Sequence, residues 1–343
     1  MTAVATPVVP TDPPVEAPAP RATVVMVVRD EPLARLARAL AAVAAQEDVA
    51  GLTVCIAAPR DDHAGLAALR TGGAVDAIRL VDNPGGARSA GLNRAIAAAP
   101  DPVVVRVDAR SEIPTHYVAA CLRRLDDPDV GMAGGVQRPV AAEGADRAAR
   151  GIARALRNQW LLGNAAYRRT DAGGPADTVY LGAFRRDEVL ALGGYDEALD
   201  ANEDYDLAQR FLDLGRTVWL EEGQCVRYEP RADWRGLARQ YHAFGAAKVR
   251  FWRRTGRRAN GRQRVALGAC ALGGLVAVAS VRRPRRLIGL TAVGLTGLVV
   301  LDHVADPSER DPRVRARACV ASTVIVGSWV SGVVSGYVGR RVR

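Results

Sequence analysis

Two short stretches of the chain gather the side chains that could do chemistry. In the first, a β-branched run over 103–107 ends on Asp108, with Glu112 four residues on. Such a run reads as a buried strand. At the carboxyl end of a parallel strand, side chains reach the crevice where open α/β sheets bind ligands. Carboxylates there suit hard cations, and Mg²⁺ or Mn²⁺ shares its oxygen ligands with substrate phosphates. The alternative is a strand end followed by a polar turn. The second stretch is Asn202, Glu203, Asp204, Tyr205, Asp206 and Leu207. A helix starting near 202 puts Asp204, Leu207, Phe211 and Leu214 on one face, so the spacing predicts Asp204 inward and Glu203 aside. A carboxylate held at that boundary can have a raised pKa and serve as a general base. The alternative is that Glu203, Asp204 and Asp206 only complement the positive end of a helix.

The elements that must position these groups follow from periodicity. The spacing predicts strands at 22–28, 52–57, 78–81 and 103–107, alternating with helices at 33–46, about 62–70 and 87–98. That alternation implies a parallel sheet with helices on both faces. No GxGxxG follows the first strand, which argues against a dinucleotide-binding domain. Beyond Pro114 the pattern predicts helices at 115–125 and 146–163, with a strand at 130–136 between them. From 234 to 252, Leu237, Tyr241, Phe244 and the stem of Lys248 form an apolar stripe opposite a basic face, as a membrane-surface helix would.

Net charge is +10, and among 47 basic residues Lys248 is the single lysine, so the excess rests on arginine. Arginine forks onto phosphates and carboxylates and stays charged. The balance fits anionic lipid, phosphorylated substrates or nucleic acid. No zinc-finger spacing, RNA-binding aromatic motif or basic heptad region is present, so nucleic acid is set aside. Five scattered cysteines without a CxxC pair read as small core residues in a reducing compartment. Residues 1–22, rich in Pro, Ala and Val, have neither a basic start nor a long apolar run and read as a disordered tail.

The last quarter differs in kind. Charge-free runs cover 265–281, 287–301 and 318–338, of 17, 15 and 21 residues. A span needs about 20 residues, so the third passes comfortably, the first narrowly and the second only if its edges are stretched. Two to three hydrophobic helices in a membrane region at 265–339 are expected, multi-pass or as a hairpin. Six arginines between 253 and 264 form a basic linker that places the preceding domain on the cytoplasmic side of the plasma membrane.

In chain order, the residues that carry a resemblance are Arg29-Asp30-Glu31, Asn83-Pro84, Leu92-Asn93, Val107-Asp108-Ala109 and Glu112-Ile113-Pro114. After them come Asp177 to Gly182, Gly193 to Glu197, Asn202-Glu203-Asp204 and Gln240-Tyr241. From about 23 to 252 the chain resembles the family 2 glycosyltransferases of GT-A fold, closest to membrane glucosyltransferases of succinoglycan-type exopolysaccharide synthesis. The resemblance implies a mostly parallel central sheet that binds a nucleotide-sugar, with Asp204 as the general base of an inverting transfer. It places Asp30, Asn83, Asn93, Asp108, Arg110, Glu203, Gln240 and Tyr241 at the donor or acceptor, and Mg²⁺ or Mn²⁺ at Asp108. Position 110, where the family's acidic motif has its third member, is Arg110, which has no acceptor for a metal. Glu112 is therefore expected to supply the missing ligand. The turn after the second strand, 57–62, brings its acids Asp61 and Asp62 later than the family pattern. The implied acceptor is polyprenyl-linked or another envelope glycan, with membrane lipid and a polysaccharide assembly complex as partners. The alternative function is a catalytically degenerate membrane scaffold in such a complex.

Overall fold

Strands whose successive side chains are buried on opposite faces organise the molecule. In the computed structural model, which describes residues 21–69, 71–158, 165–169, 173–199, 201–280, 283–306 and 309–339, the first half alternates strand and helix. The elements are β1 (Arg21–Val27), α1 (Leu33–Ala44), β2 (Gly51–Ala58), α2 (His63–Ala67), β3 (Val75–Asp82), α3 (Arg88–Ala98) and β4 (Val103–Arg106). Next come β5 (Ser111–Glu112), α4 (Tyr117–Leu125), β6 (Val130–Pro139), α5 (Arg147–Arg157), β7 (Gly174–Pro175), β8 (Tyr180–Arg185) and α6 (Arg186–Ala191). The chain continues with α7 (Glu203–Asp213), β9 (Thr217–Tyr228), α8 (Trp234–Thr255), α9 (Gly261–Ser280), α10 (Pro284–Ala305) and α11 (Pro312–Val338).

The strands form one sheet in the order β3-β2-β1-β4-β8-β6-β9-β5, with β7 on β9. β3, β2, β1 and β4 are mutually parallel, β8 is antiparallel to both β4 and β6, and β6 and β9 are again parallel. Val24, Met26, Val54 and Ile56 join Leu36, Leu40, Tyr117 and Leu122 in one core layer. Val25, Cys55 and Val104 face the other way, against Leu92, Ile96, Phe184, Leu207 and Phe211. Burial on both faces accounts for the continuous apolar runs of β1, β2 and β4. It is the mostly parallel GT-A-like sheet expected.

Three local expectations need correction. The helix expected at 62–70 is a single 3₁₀ turn, Arg60–Asp62, leading into the short α2, after which the glycines at 72 and 73 turn the chain. The helix expected at 146–163 is described over Arg147–Arg157; residues 159–164 lie outside the described residues. The apolar stripe of α8 is not a free membrane-facing surface. It packs on α11, and a Cβ at Gly245 or Gly332 would overlap the facing backbone of Trp329 or His242. Small residues let two helix backbones approach this closely. α11 also docks on α5, where Gly151 meets Arg317 and Ala318.

Among the described residues, two helices are long and apolar enough to cross a membrane, over Gln263–Ser280 and Pro312–Val338. α9 exposes Val265, Leu272, Leu275 and Val278, whereas α11 has one face built into the rest of the protein.

Candidate active site

Arg106 and Asp108 sit two residues apart, so the strand that continues from β4 sends both side chains to the same side. Arg106 is 4% exposed, and its Nε donates to Asp108 Oδ1 at 2.9 Å. Its Nη1 lies 3.2 Å from Glu203 Oε1 without the alignment of a hydrogen bond. Arg88, the first residue of α3, reaches the same two carboxylates over 3.6 Å and 3.9 Å. The ends of β4, α3 and α7 therefore meet in one four-membered charge cluster at the carboxyl edge of the parallel strands.

The helix phase of α7 reverses the sequence expectation. Asn202 takes a left-handed backbone, φ +66°, and the helix that starts after it buries Glu203, Leu207 and Phe211 at spacings of four. Asp204 is exposed instead, as is Leu214. Glu203 can enter because Arg106 awaits it, although burial and the charge of Asp204 still push its carboxyl above the usual range. Burial also opposes ionisation of Asp108, but Arg106 and Arg88 prevail and hold it below the usual range. The cation is secure between its two partners, with Arg106 raised well above its ordinary value against burial. The cost of the cluster thus falls on Glu203, which shares its charge environment with Asp204.

The remaining expected residues separate into groups. Asp30, three residues past β1, takes a left-handed conformation, φ +53°, with its side chain exposed beside Arg29. That conformation is uncommon for a residue with a side chain. Asn83 is buried and donates to the Ala87 carbonyl, closing the turn before α3. Asn93 binds the Tyr195 backbone through both ends of its amide and also donates to Glu197, so it fastens α3 to the 193–197 turn. Arg110 donates to Glu31 at 2.8 Å. Glu112 lies between Arg38 and Arg227, at 3.6 Å and 3.5 Å, in a separate group from Asp108. Gln240 is half-buried; Tyr241 is buried, its hydroxyl pushed up to about 12 by burial against the opposing pull of Arg168.

Those placements bear on metal binding. Among the described residues no three carboxylate, histidine or cysteine side chains converge as a metal cluster. What fits is a single-carboxylate seat: the Asp108 side chain is 26% exposed, with its oxygens accepting from Arg106 at 2.9 Å and 3.3 Å. Mg²⁺ or Mn²⁺ is commonly held by one or two carboxylates and completed by substrate phosphates.

Arg88 and Arg106 were not among the residues expected from sequence. Arg106 carried a signal, a charge within an otherwise apolar strand, which implies a buried partner. Arg88 carried none beyond composition.

A model of the family described as "Glycosyltransferase like family 2" matches residues 20–243. The succinoglycan biosynthesis protein ExoA of Rhizobium meliloti (strain 1021) is 28% identical over 175 residues, 50% of this chain and 52% of that protein. The match thus spans about half the length of that relative. The mannosyltransferase PcManGT from Pyrobaculum calidifontis, solved in complex with GDP-Man and Mn²⁺, superposes with a TM-score of 0.59. It is 17% identical, and the match covers 93% of this chain and 87% of that structure, a likeness of fold.

Proposed function

This chain belongs to glycosyltransferase like family 2, and from that premise we propose that it is an inverting glycosyltransferase. It moves a sugar from a nucleotide-sugar donor to a lipid-linked or envelope exopolysaccharide glycan. The observation that carries this reading is the meeting of Asp108, Arg88, Arg106, Glu203 and the exposed Asp204 at one edge of the sheet.

In this reading Arg88 and Arg106 supply fixed positive charge where the donor diphosphate lies. Such preorganised charge is worth most where charge develops during reaction. A divalent ion held by Asp108 would add Lewis-acid neutralisation of the departing diphosphate. Asp204, exposed on the first turn of α7, takes the proton from the acceptor hydroxyl. Direct displacement at the anomeric carbon follows, which inverts it. Glu203 keeps Arg106 in place from the buried side. The ExoA likeness supports an exopolysaccharide acceptor. The apolar helices α9 and α11 support a membrane-anchored protein with its cleft facing the cytoplasm and a lipid-linked acceptor at the surface.

One observation favours a second reading, a binding scaffold without turnover. Arg110 stands where a metal ligand is expected and is occupied by Glu31. A panel of nucleotide-sugars, GDP-mannose included, with and without Mn²⁺, separates the two. Nucleotide release from one donor, lost in both Asp108→Asn and Asp204→Asn, supports the enzyme. Donor binding with no release in the wild type supports the scaffold.

A further inference from the structure

Every acidic residue after Asp233 falls between 302 and 311. These acids meet one face of α5. Arg147, Arg150, Arg154 and Arg157 recur there at spacings of three, four and three. They pair with Asp311, Glu309, Asp302 and Asp306 at 3.1, 3.1, 2.7 and 3.4 Å. The outer pairs are partly exposed and set register more than they stabilise. Arg154 and Asp302 are both buried, so carrying Asp302 to the far side of a bilayer would strand a buried guanidinium without its carboxylate. α5 is itself tied to the sheet, where Arg157 Nη1 donates to the Pro139 carbonyl at 3.2 Å. The C-terminal end of α10 therefore stays with the sheet domain.

α11 stays there as well. It runs beside α8 in the same direction, starting from the core that Leu237 shares with Ala318 and Ala321. It ends at Arg253, whose Nη1 and Nη2 donate to the carbonyls of Gly336 and Tyr337 at 3.0 and 3.4 Å. Arg235, Arg239, Arg250, Arg253 and Arg254 are exposed along α8. Charges are costly in hydrocarbon, so α11 cannot cross a bilayer with α8 along its side. α9 and α10 carry no such neighbour: Val265, Leu272, Leu275 and Val278 on one, and Val299 and Val300 on the other, are exposed. Their connection is short, and the Arg283 N–H donates to the Ser280 carbonyl at 2.8 Å. The helices have 20 and 22 residues. At about 1.5 Å per residue each is about 30 Å long, the thickness of the hydrocarbon core.

We propose that α9 and α10 form a hairpin that crosses the lipid bilayer from the side of the sheet domain and returns to it, while α11 lies along the domain and does not cross. The hairpin's partner is lipid hydrocarbon, and the exposed Arg283 and Arg285 at its turn lie among the opposite headgroups. The cleft and the C-terminal end of α11 are then on one side of the membrane. This topology rests on reading the chain as membrane-anchored.

The test is trypsin on sealed membrane vesicles that hold the full chain with a C-terminal epitope tag. Added outside right-side-out vesicles, trypsin should cut at the arginine-rich turn and leave a short tagged fragment. Added to inside-out vesicles, it should remove the tag. Loss of the tag from right-side-out vesicles puts the C-terminal end across the membrane and overturns the hairpin. A full-length chain that trypsin cannot cut from that side overturns it too. Release of the chain from the vesicles by a carbonate wash overturns the membrane reading itself, and the hairpin with it. Nucleotide release by the detergent-solubilised protein is measured apart from all of these, so the transferase reading stands or falls separately.

Discussion

Among the described residues two arginines are buried, and their aspartate partners differ in exposure. Arg154 on α5 is 3% exposed and bidentate on Asp302 of α10, at 2.7 Å and 3.0 Å, with a further bond to the Asp302 carbonyl. The Asp302 side chain is 5% exposed, and Asp306 and Arg315 complete the cluster. Arg106 in the cleft is equally buried and likewise bidentate, on Asp108 at 2.9 Å and 3.3 Å. Each arginine keeps a second carboxylate 3.2 Å from its remaining nitrogen without hydrogen-bond alignment. The difference is that the Asp108 side chain is 26% exposed. One cluster is closed on itself and joins the C-terminal helices to α5. The other has Arg88, Asp108 and the neighbouring Asp204 within reach of solvent, and so of a ligand. The same bidentate pair serves as a rivet where its aspartate is buried and as a site where its aspartate reaches solvent.

The largest expected effect separates the exposed acid from everything around it. Asp204→Asn should lower turnover by 10²–10⁴-fold, measured as nucleotide release, with thermal unfolding unchanged because the side chain is exposed. Next is the closed cluster. Asp302→Ala leaves Arg154 buried without its carboxylate and should cost about 3–5 kcal/mol of stability, read by denaturant unfolding in detergent. Donor affinity should be unmoved, and a donor defect without a stability loss would erase the distinction between the clusters. Smaller still, Gly332→Val should force α8 and α11 apart and cost about 1–3 kcal/mol, seen as a lower melting midpoint.

The smallest effect is on pH. Glu203 has a folded pKa above its unfolded one, so the fold binds its proton more tightly. Its contribution to stability is favourable at acid pH and declines as pH rises from the unfolded value through the folded one. Asp108 runs the other way: its contribution is present above the ordinary carboxylate range and is lost as pH falls through its lowered pKa. Glu203→Gln should therefore raise stability at pH 7, read by denaturant unfolding, while reducing turnover. A destabilised Glu203→Gln at pH 7 would mean that the pair with Arg106 outweighs burial.

Much of the fold was legible because both faces of β1, β2 and β4 are buried, which writes them as apolar runs separated by helical spacing. Asp108 was legible for the same reason, as the first acid after such a run. The inward side of α7 was not. Glu203 and Asp204 are adjacent acids, and the backbone of Asn202 sets which one faces in. A buried glutamate is admissible only with a cation, and that cation, Arg106, lies in a distant strand. Likewise Leu237, Tyr241 and Phe244 read as a membrane-facing stripe because α11, which covers α8, comes much later in the chain. Ion partners and helix partners far apart in sequence leave no periodicity to read.

The central claim is that the exposed carboxylate of α7 does chemistry while the cluster beneath it holds the donor. It is tested most directly by measuring donor affinity and nucleotide release side by side for the wild type and Asp204→Asn. The prediction is binding unchanged within about twofold and release reduced at least about 100-fold. Equal release from both proteins would contradict it and remove Asp204 from the reaction.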